Sequence, residues 1–213
     1  MLALGTASLV SCDCEHDLTA PLTFHVGDVL CSDGAVVALD TYRGLDKEAV
    51  GIVFHVDNDP GTDHLGYAVY IHDLEPQAFA DSLGVEQGTS ASLSAEDGNE
   101  NTYSMYHCED VKSPMAEKVF DLWRYGQSAY VPSVRQLAYL YAARHYLNDC
   151  ITSVGGDAID LEPGDCWLWT STEVEGQTEN KAWLFSMQSG SVQETPKDQA
   201  HKFRPIISLR NVR

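Results

Sequence analysis

Asp57, Asp59 and Asp63 fall together in "DNDPGTD", a turn that also holds Pro60 and Gly61. Hard carboxylate oxygens in a tight loop suit Ca²⁺. The segment lacks the distal bidentate Glu of an EF-hand, however, and Asp and Asn also occupy turns for local hydrogen bonding alone. The turn reading is the stronger, so no cofactor is expected, and calcium at these three aspartates is the alternative. Cys14 in "CDCEHD" also has metal ligands beside it, but a chain terminus supplies no fixed geometry for them.

Nucleophilic chemistry finds less support. The chain contains no P-loop, GxGxxG, HExxH, GxSxG or CxxC pattern. His25, His55 and His72 lie in strand-like stretches, where a half-exposed structural histidine is the ordinary finding. His107 and Cys108 are adjacent, and adjacent side chains on a helix or strand point in different directions. The reading is therefore of a protein that is not an enzyme, with Cys150 or Cys166 as the thiols an enzymatic alternative would use.

Recognition chemistry is better represented. In "CWLWTSTEVEGQTENKAWLFSMQSGSV", residues 166–192, Trp167, Trp169 and Trp183 flank a polar insert. Burying such rings contributes roughly 1.5–3 kcal/mol each, so core packing is the favoured use for them. The insert carries Gly176 and is almost free of apolar residues, which predicts an exposed loop of the kind that holds binding residues. Glu173, Glu175, Gln177, Asn180 and Lys181 are its candidate ligand contacts, with Trp183 at the base. Arg204 in "FRPI" lies between Phe203 and Pro205. A guanidinium so placed is expected to be part-buried and paired, with Glu173 as the predicted partner in a structural ion pair.

The elements that must hold these residues follow from periodicity. Turn chemistry at Ser32-Asp33-Gly34 separates two β-prone runs, and "GIVFHVD" and "GYAVYIHD" read as strands. A helical stripe then appears at Met115, Val119, Leu122 and Trp123, with Ser113 as N-cap, Pro114 at the first position and Gly126 at the exit. A second helix starts at the capping-box pair Ser133 and Gln136 and turns Leu137, Leu140, Tyr141 and Leu147 to one face. A shorter helix is placed near Asn101-Thr102. The last third returns to strands in "WLWTSTE", "AWLFSMQ" and "KFRPIISLR". Hairpins, helices and hairpins in that order predict an α+β domain and not an alternating βαβ sheet.

The chain has 213 residues, enough for one well-cored domain, with 13 Lys and Arg against 32 Asp and Glu, a formal charge of −19. That balance offers no basic surface to nucleic acid or to anionic lipid. Near the start, "MLALGTASLVSC" is an apolar run too short to span a bilayer. Leu9-Val10-Ser11-Cys12 resembles the lipobox of bacterial lipoproteins, in which the cysteine is acylated. No Lys or Arg precedes the run, which departs from that pattern. This reading makes 1–20 a signal remnant and tether, and 21–213 the folded domain. It places the protein at the bacterial outer membrane, lipid-anchored and periplasmic or surface-exposed, touching membrane through the anchor only. With Cys12 removed, an odd number of cysteines remains, and the pairing of the rest is open.

Five short motifs occur in a distinctive order: "DGNENT", "YVPSVRQLAYLY", "WLWTSTE", "AWLFSMQSGSV" and "FRPI". In that order they resemble the C-terminal domain of collagen-like bacterial adhesins and of surface lipoproteins of gut anaerobes, over about residues 24–210. The resemblance implies a C-type-lectin-like fold, with two or three helices packed on a small twisted antiparallel sheet. It implies a non-catalytic binding module for an extracellular glycan or protein. Formylglycine-generating enzymes use a related fold but need a reactive cysteine pair near the C-terminus, and no cysteine follows Cys166. Calcium-dependent lectins use Glu-Pro-Asn or Gln-Pro-Asp, whereas "LEPGD" at 161–165 has Gly164 at the amide position. Receptor-binding proteins diversified by retroelements share the fold and form a third alternative.

Overall fold

The computed structural model of the chain describes residues 24–57, 64–122 and 129–210. Its first half is built from β1 (Val29–Cys31), β2 (Val36–Val37), a single turn α1 (Leu39–Tyr42), β3 (Ala49–Val56), β4 (Gly66–Tyr70) and β5 (Gln77–Ala78). The helices α2 (Gly98–His107) and α3 (Pro114–Phe120) follow, then β6 (Ala129–Tyr130) and the long α4 (Val134–Ser153). The chain closes through β7 (Trp167–Glu173), β8 (Lys181–Ser186), β9 (Val192–Pro196), β10 (Ala200–His201) and β11 (Ile206–Leu209).

This is an α+β arrangement. The main sheet has six strands in the order β2-β1-β3-β4-β11-β6, larger than the small sheet expected, beside a three-stranded sheet β7-β8-β9 and the pair β10-β5. Among the described residues the named strands pair antiparallel, and one isolated parallel bridge joins Leu168 to Lys202. The last strand to form in sequence, β11, sits between β4 and β6, so the C-terminal segment closes the sheet.

Local chemistry explains the helix starts. The Ser113 hydroxyl accepts from the Ala116 amide at 3.2 Å, and Pro114 occupies the first turn, where a missing amide costs nothing. Ser133 and Gln136 form the capping box that their spacing predicted. α4 leaves through Gly155, whose φ of +85° is a left-handed conformation that favours glycine. The shorter helix, α2, begins at Gly98, one turn before the predicted Asn101-Thr102 start.

Three apolar clusters follow from the alternation of strand side chains. Ile52, Phe54 and Val69 on one sheet face meet Leu137, Leu140, Leu147 and Ile151 of α4, with Leu168, Phe185 and Met187 closing the far side. Val53, Ala68, Leu30, Ile207 and Leu209 form a separate cluster on the opposite face. A third cluster gathers Phe79, Met105, Met115, Trp169, Leu184 and Phe203 beneath α2 and α3. Phe203 therefore packs apart from Ile207 and Leu209.

Three of the five motif segments, those around Asn101, Ser133 and Ser171, meet in one buried seam. Asn101 Nδ2 reaches Ser171 Oγ at 3.4 Å, Thr102 Oγ1 accepts from the Val131 amide at 2.9 Å, and the Val134 amide donates to Thr172 Oγ1 at 3.2 Å. Asn101, Thr102, Ser133, Gln136, Ser171 and Thr172 are all buried. A buried polar group is tolerated only when bonded. These motifs therefore hold α2, α4 and β7 together, and their chemistry is structural.

Candidate functional site

The polar insert forms the tip of the β7–β8 hairpin. Its turn is closed by amide bonds from Val174 to Lys181 O at 3.0 Å and from Gln177 to Val174 O at 2.9 Å, with Gly176 at φ +73°. Glu175 and Asn180 are exposed, and Gln177 and Lys181 are half-buried. Both of the latter donate to Glu194 Oε2 on β9, each at 3.1 Å. Trp183 pairs across the sheet with Glu194 and rests half-buried against the core, its indole Nε1 enclosed without a hydrogen-bond partner.

Glu173 is not part of that tip. Its side chain is 1% exposed and accepts from Lys197 Nζ at 2.8 Å and from the Gln87 amide at 3.0 Å. Lys197, fully buried, gives its other protons to Val85 O and Thr178 O, both at 2.8 Å. The predicted pair of Glu173 with Arg204 is thus incorrect. Arg204 is instead held by Asp73 Oδ1 at 2.5 Å and by the carbonyls of Tyr70 and Asp157 at 3.1 and 2.9 Å. The requirement for a carboxylate was right for Arg204, but β7 turns Glu173 toward the 84–87 segment, where a buried lysine claims it.

The tryptophans follow the packing expectation in part. Trp169 is fully buried, lies edge-on to Phe79 at 5.7 Å, and donates its indole proton to Gln77 O at 3.1 Å. Trp167 and Trp183 are half-buried.

Of the aspartate turn, Asp57 is described and its amide bonds Leu65 O at 3.0 Å. Asp59 and Asp63 lie outside the described residues, as do Cys12 and the whole of 1–20. Among the described residues no set of three His, Cys, Asp or Glu side chains is grouped for a metal. Cys31, Cys108, Cys150 and Cys166 are unpaired thiols. Burial pushes the Cys150 thiol pKa up, with Tyr146 partly offsetting it, whereas a nucleophilic cysteine is one whose pKa is lowered. His107 is turned from Cys108 and hydrogen-bonds Tyr103 O through Nδ1 at 2.9 Å.

A polar cluster lies between β3, β4 and α4. Tyr67 and Tyr139 donate to the two oxygens of Glu96 at 2.9 and 2.6 Å, and His64 Nε2 is 2.8 Å from the Tyr67 hydroxyl. Burial, with Glu96 beside it, drives the Tyr67 pKa far above the ordinary phenol value. These phenols stay protonated and act as donors.

The arrangement that sequence reasoning missed is an open cleft of about 650 Å³ between α2, α3 and the edge strand β6. Tyr103, Phe120 and Tyr130 supply its aromatic walls, and Asn99, Glu100 and Ser104 its polar rim. Tyr103 and Tyr106 are 59% and 44% exposed, among the large apolar side chains left open on the surface. The signal was present as "NENTYSMYH", where tyrosines at a spacing of three share a helix face.

No protein-family model matches the chain, and no curated protein matches it. Its fold is similar to that of a fimbrial protein from Bacteroides ovatus ATCC 8483, with a TM-score of 0.66 at 18% sequence identity. The likeness covers 87% of this chain and 49% of that one, so the chain spans about half the neighbour's length.

Proposed function

We propose that this chain is a non-catalytic binding module of the bacterial cell surface, of lectin-like type, that serves adhesion or capture of an extracellular glycan or protein. The observation that carries the reading is the open aromatic cleft between α2, α3 and β6, a concave and mostly apolar site with a few polar groups at its rim. The structural likeness to a fimbrial protein supports a surface role. Acylation at Cys12 would anchor the protein in the outer membrane, and no helix among the described residues is long and apolar enough to cross a membrane. The hairpin tip with Glu175, Gln177, Asn180 and Lys181 is a second contact face. Gln177 and Lys181 are already engaged by Glu194, so the cleft is favoured.

Purified chain applied to arrays of glycans and of extracellular matrix proteins tests this reading. Saturable capture of a defined glycan or protein is expected. Absence of capture on both arrays would remove the binding-module reading.

A further inference from the structure

Exposed aromatic rings on a stable surface usually cost solvation without return, and α2 carries two. Tyr103 is stacked on His107 with centroids 4.0 Å apart, and Tyr106 is stacked on Phe120 at 3.9 Å. Tyr106 also meets the edge of His107 at 5.2 Å. The His107 ring is itself held, since its Nδ1–H donates to Tyr103 O. Each tyrosine is thus braced on one face by a neighbouring ring while much of its surface meets solvent. Rings fixed before a ligand arrives lose little conformational freedom on binding.

The chemistry around the cleft narrows the ligand. Asn99, Glu100 and Ser104 bring amide, carboxylate and hydroxyl groups to one side, while Val119, Phe120 and Ala129 supply apolar surface. No lysine or arginine is among the described lining residues, and the chain carries a net charge of −19. An anionic ligand would meet the repulsion of that charge. A purely apolar segment would cover the rim groups and leave them without partners, at about 1–3 kcal/mol for each. A neutral pyranose meets both demands. Its C–H face is flat and apolar, and its hydroxyls donate and accept at the periphery.

We propose that the cleft between α2, α3 and β6 binds neutral pyranose units of a glycan, with a sugar C–H face against Tyr103 and its hydroxyls on Asn99, Glu100 and Ser104. This rests on the surface-binding reading and gives it a ligand class and a site. The cleft volume of about 650 Å³ falls within the ~300–1,000 Å³ common for small-ligand sites. Specificity among hexoses would come from the rim, because a stacked ring face distinguishes sugars only by which of their faces is free of axial hydroxyls.

Cellobiose, lactose and chitobiose titrated into the purified full chain, followed by saturation-transfer NMR and calorimetry, test the proposal. At least one is expected to bind. Tyr103→Ala should weaken that binding about tenfold, a loss of ~1.4 kcal/mol, while Tyr103→Phe retains most of it because the ring remains. Sialyllactose should bind at least about tenfold more weakly than lactose if lactose is the ligand. Tyr103 is exposed, so its loss leaves the core intact, and an unchanged melting temperature confirms that the variant folds. Failure of every neutral saccharide, or full affinity in both Tyr103→Ala and Tyr106→Ala, would overturn this site. Capture of a matrix protein undisturbed by Tyr103→Ala would overturn it while leaving the surface-binding reading in place.

Discussion

Glu173 and Lys197 are joined at 2.8 Å in the interior, with side chains 1% and 0% exposed, and the lysine also closes bonds to Val85 O and Thr178 O. Together they tie β7 and the residue after β9 to the 84–87 segment and to the hairpin tip. Phe79 adds a ring 5.5 Å from the ammonium. A buried pair of this kind contributes modestly as a whole, because desolvation offsets attraction, but removing one member strands the other charge.

Glu173→Gln and Lys197→Met are each expected to destabilise the fold by about 3–5 kcal/mol. The double variant should cost clearly less than the sum, since no lone charge remains. It should not return to the parent value, because the Val85 and Thr178 carbonyls lose their partner. Urea unfolding of the four proteins gives the cycle directly, and strict additivity would contradict the pairing.

Stability should also fall at mildly acidic pH. His55 lies flat against Tyr139, with centroids 4.0 Å apart and rings 6° from parallel. Desolvation holds its pKa below the ordinary 6.5, with His64 and Arg135 adding to the depression and Glu96 and Asp57 opposing it. His201, edge-on to Trp169, is depressed by burial as well. The unfolded chain therefore takes up these protons first. Their contribution is complete above about pH 6.5 and is lost as pH drops through that value toward the folded pKa. The lowered carboxyls of Asp157 and Glu194 act only in a more acidic window. His55→Phe keeps a flat ring without the titration, so it should lose less stability than the parent between about pH 8 and about pH 5.5. Parallel urea midpoints at the two pH values would count against the assignment.

The hairpin tip provides the contrast to the cleft. Replacing Glu175, Gln177, Asn180 and Lys181 by Ser together should change stability by less than about 1 kcal/mol, because the pair of Lys181 with Glu194 is surface-exposed and weak. Saccharide binding in the cleft should be unchanged in calorimetry. Loss of binding with the fold intact would move the recognition face from the cleft to the tip.

How much of this was legible in the sequence depended on whether the cause was local. Helix caps at Ser113 and Ser133, the Ser32-Asp33-Gly34 turn and the strand alternation of β3 and β4 act over a few residues, and each was readable. The partner of Glu173 was not, because Lys197 lies beyond a hairpin and a further strand, and only the β7–β8–β9 register brings it near. The cleft needed α2, α3 and β6 together, and a two-residue strand such as β6 leaves no periodicity to detect. Three of the ordered motifs, those around Asn101, Ser133 and Ser171, form the buried polar seam.

Membrane attachment is testable through Cys12, which the sequence places after an apolar approach and small residues. Two or three acyl chains hold a protein far more firmly than one, at ~0.8 kcal/mol for each buried CH₂. Cys12→Ser should shift the protein from the membrane to the soluble fraction of its native host, read by fractionation and immunoblotting. Retention of the variant with membranes would refute lipid anchoring at this residue.

Gly98→Ala tests the seam itself. A methyl group at Gly98 would stand 2.4 Å from Gln136 Oε1, 2.7 Å from Val131 O and 2.9 Å from the Ser133 amide. Real atoms do not approach so closely, and two of those neighbours are backbone. The capping box of α4 would have to open, since Gln136 Oε1 accepts from the Ser133 amide at 2.9 Å. In a free helix the same change would stabilise by up to ~1 kcal/mol through propensity. Here the contact should reverse the sign, with a net loss of about 1–3 kcal/mol from overpacking. Because α2 also carries Tyr103, the variant should weaken saccharide binding even though residue 98 touches no ligand. Thermal unfolding and calorimetry on the same preparation separate the two effects, and a stabilised variant would show that α2 does not pack on the α4 cap as described.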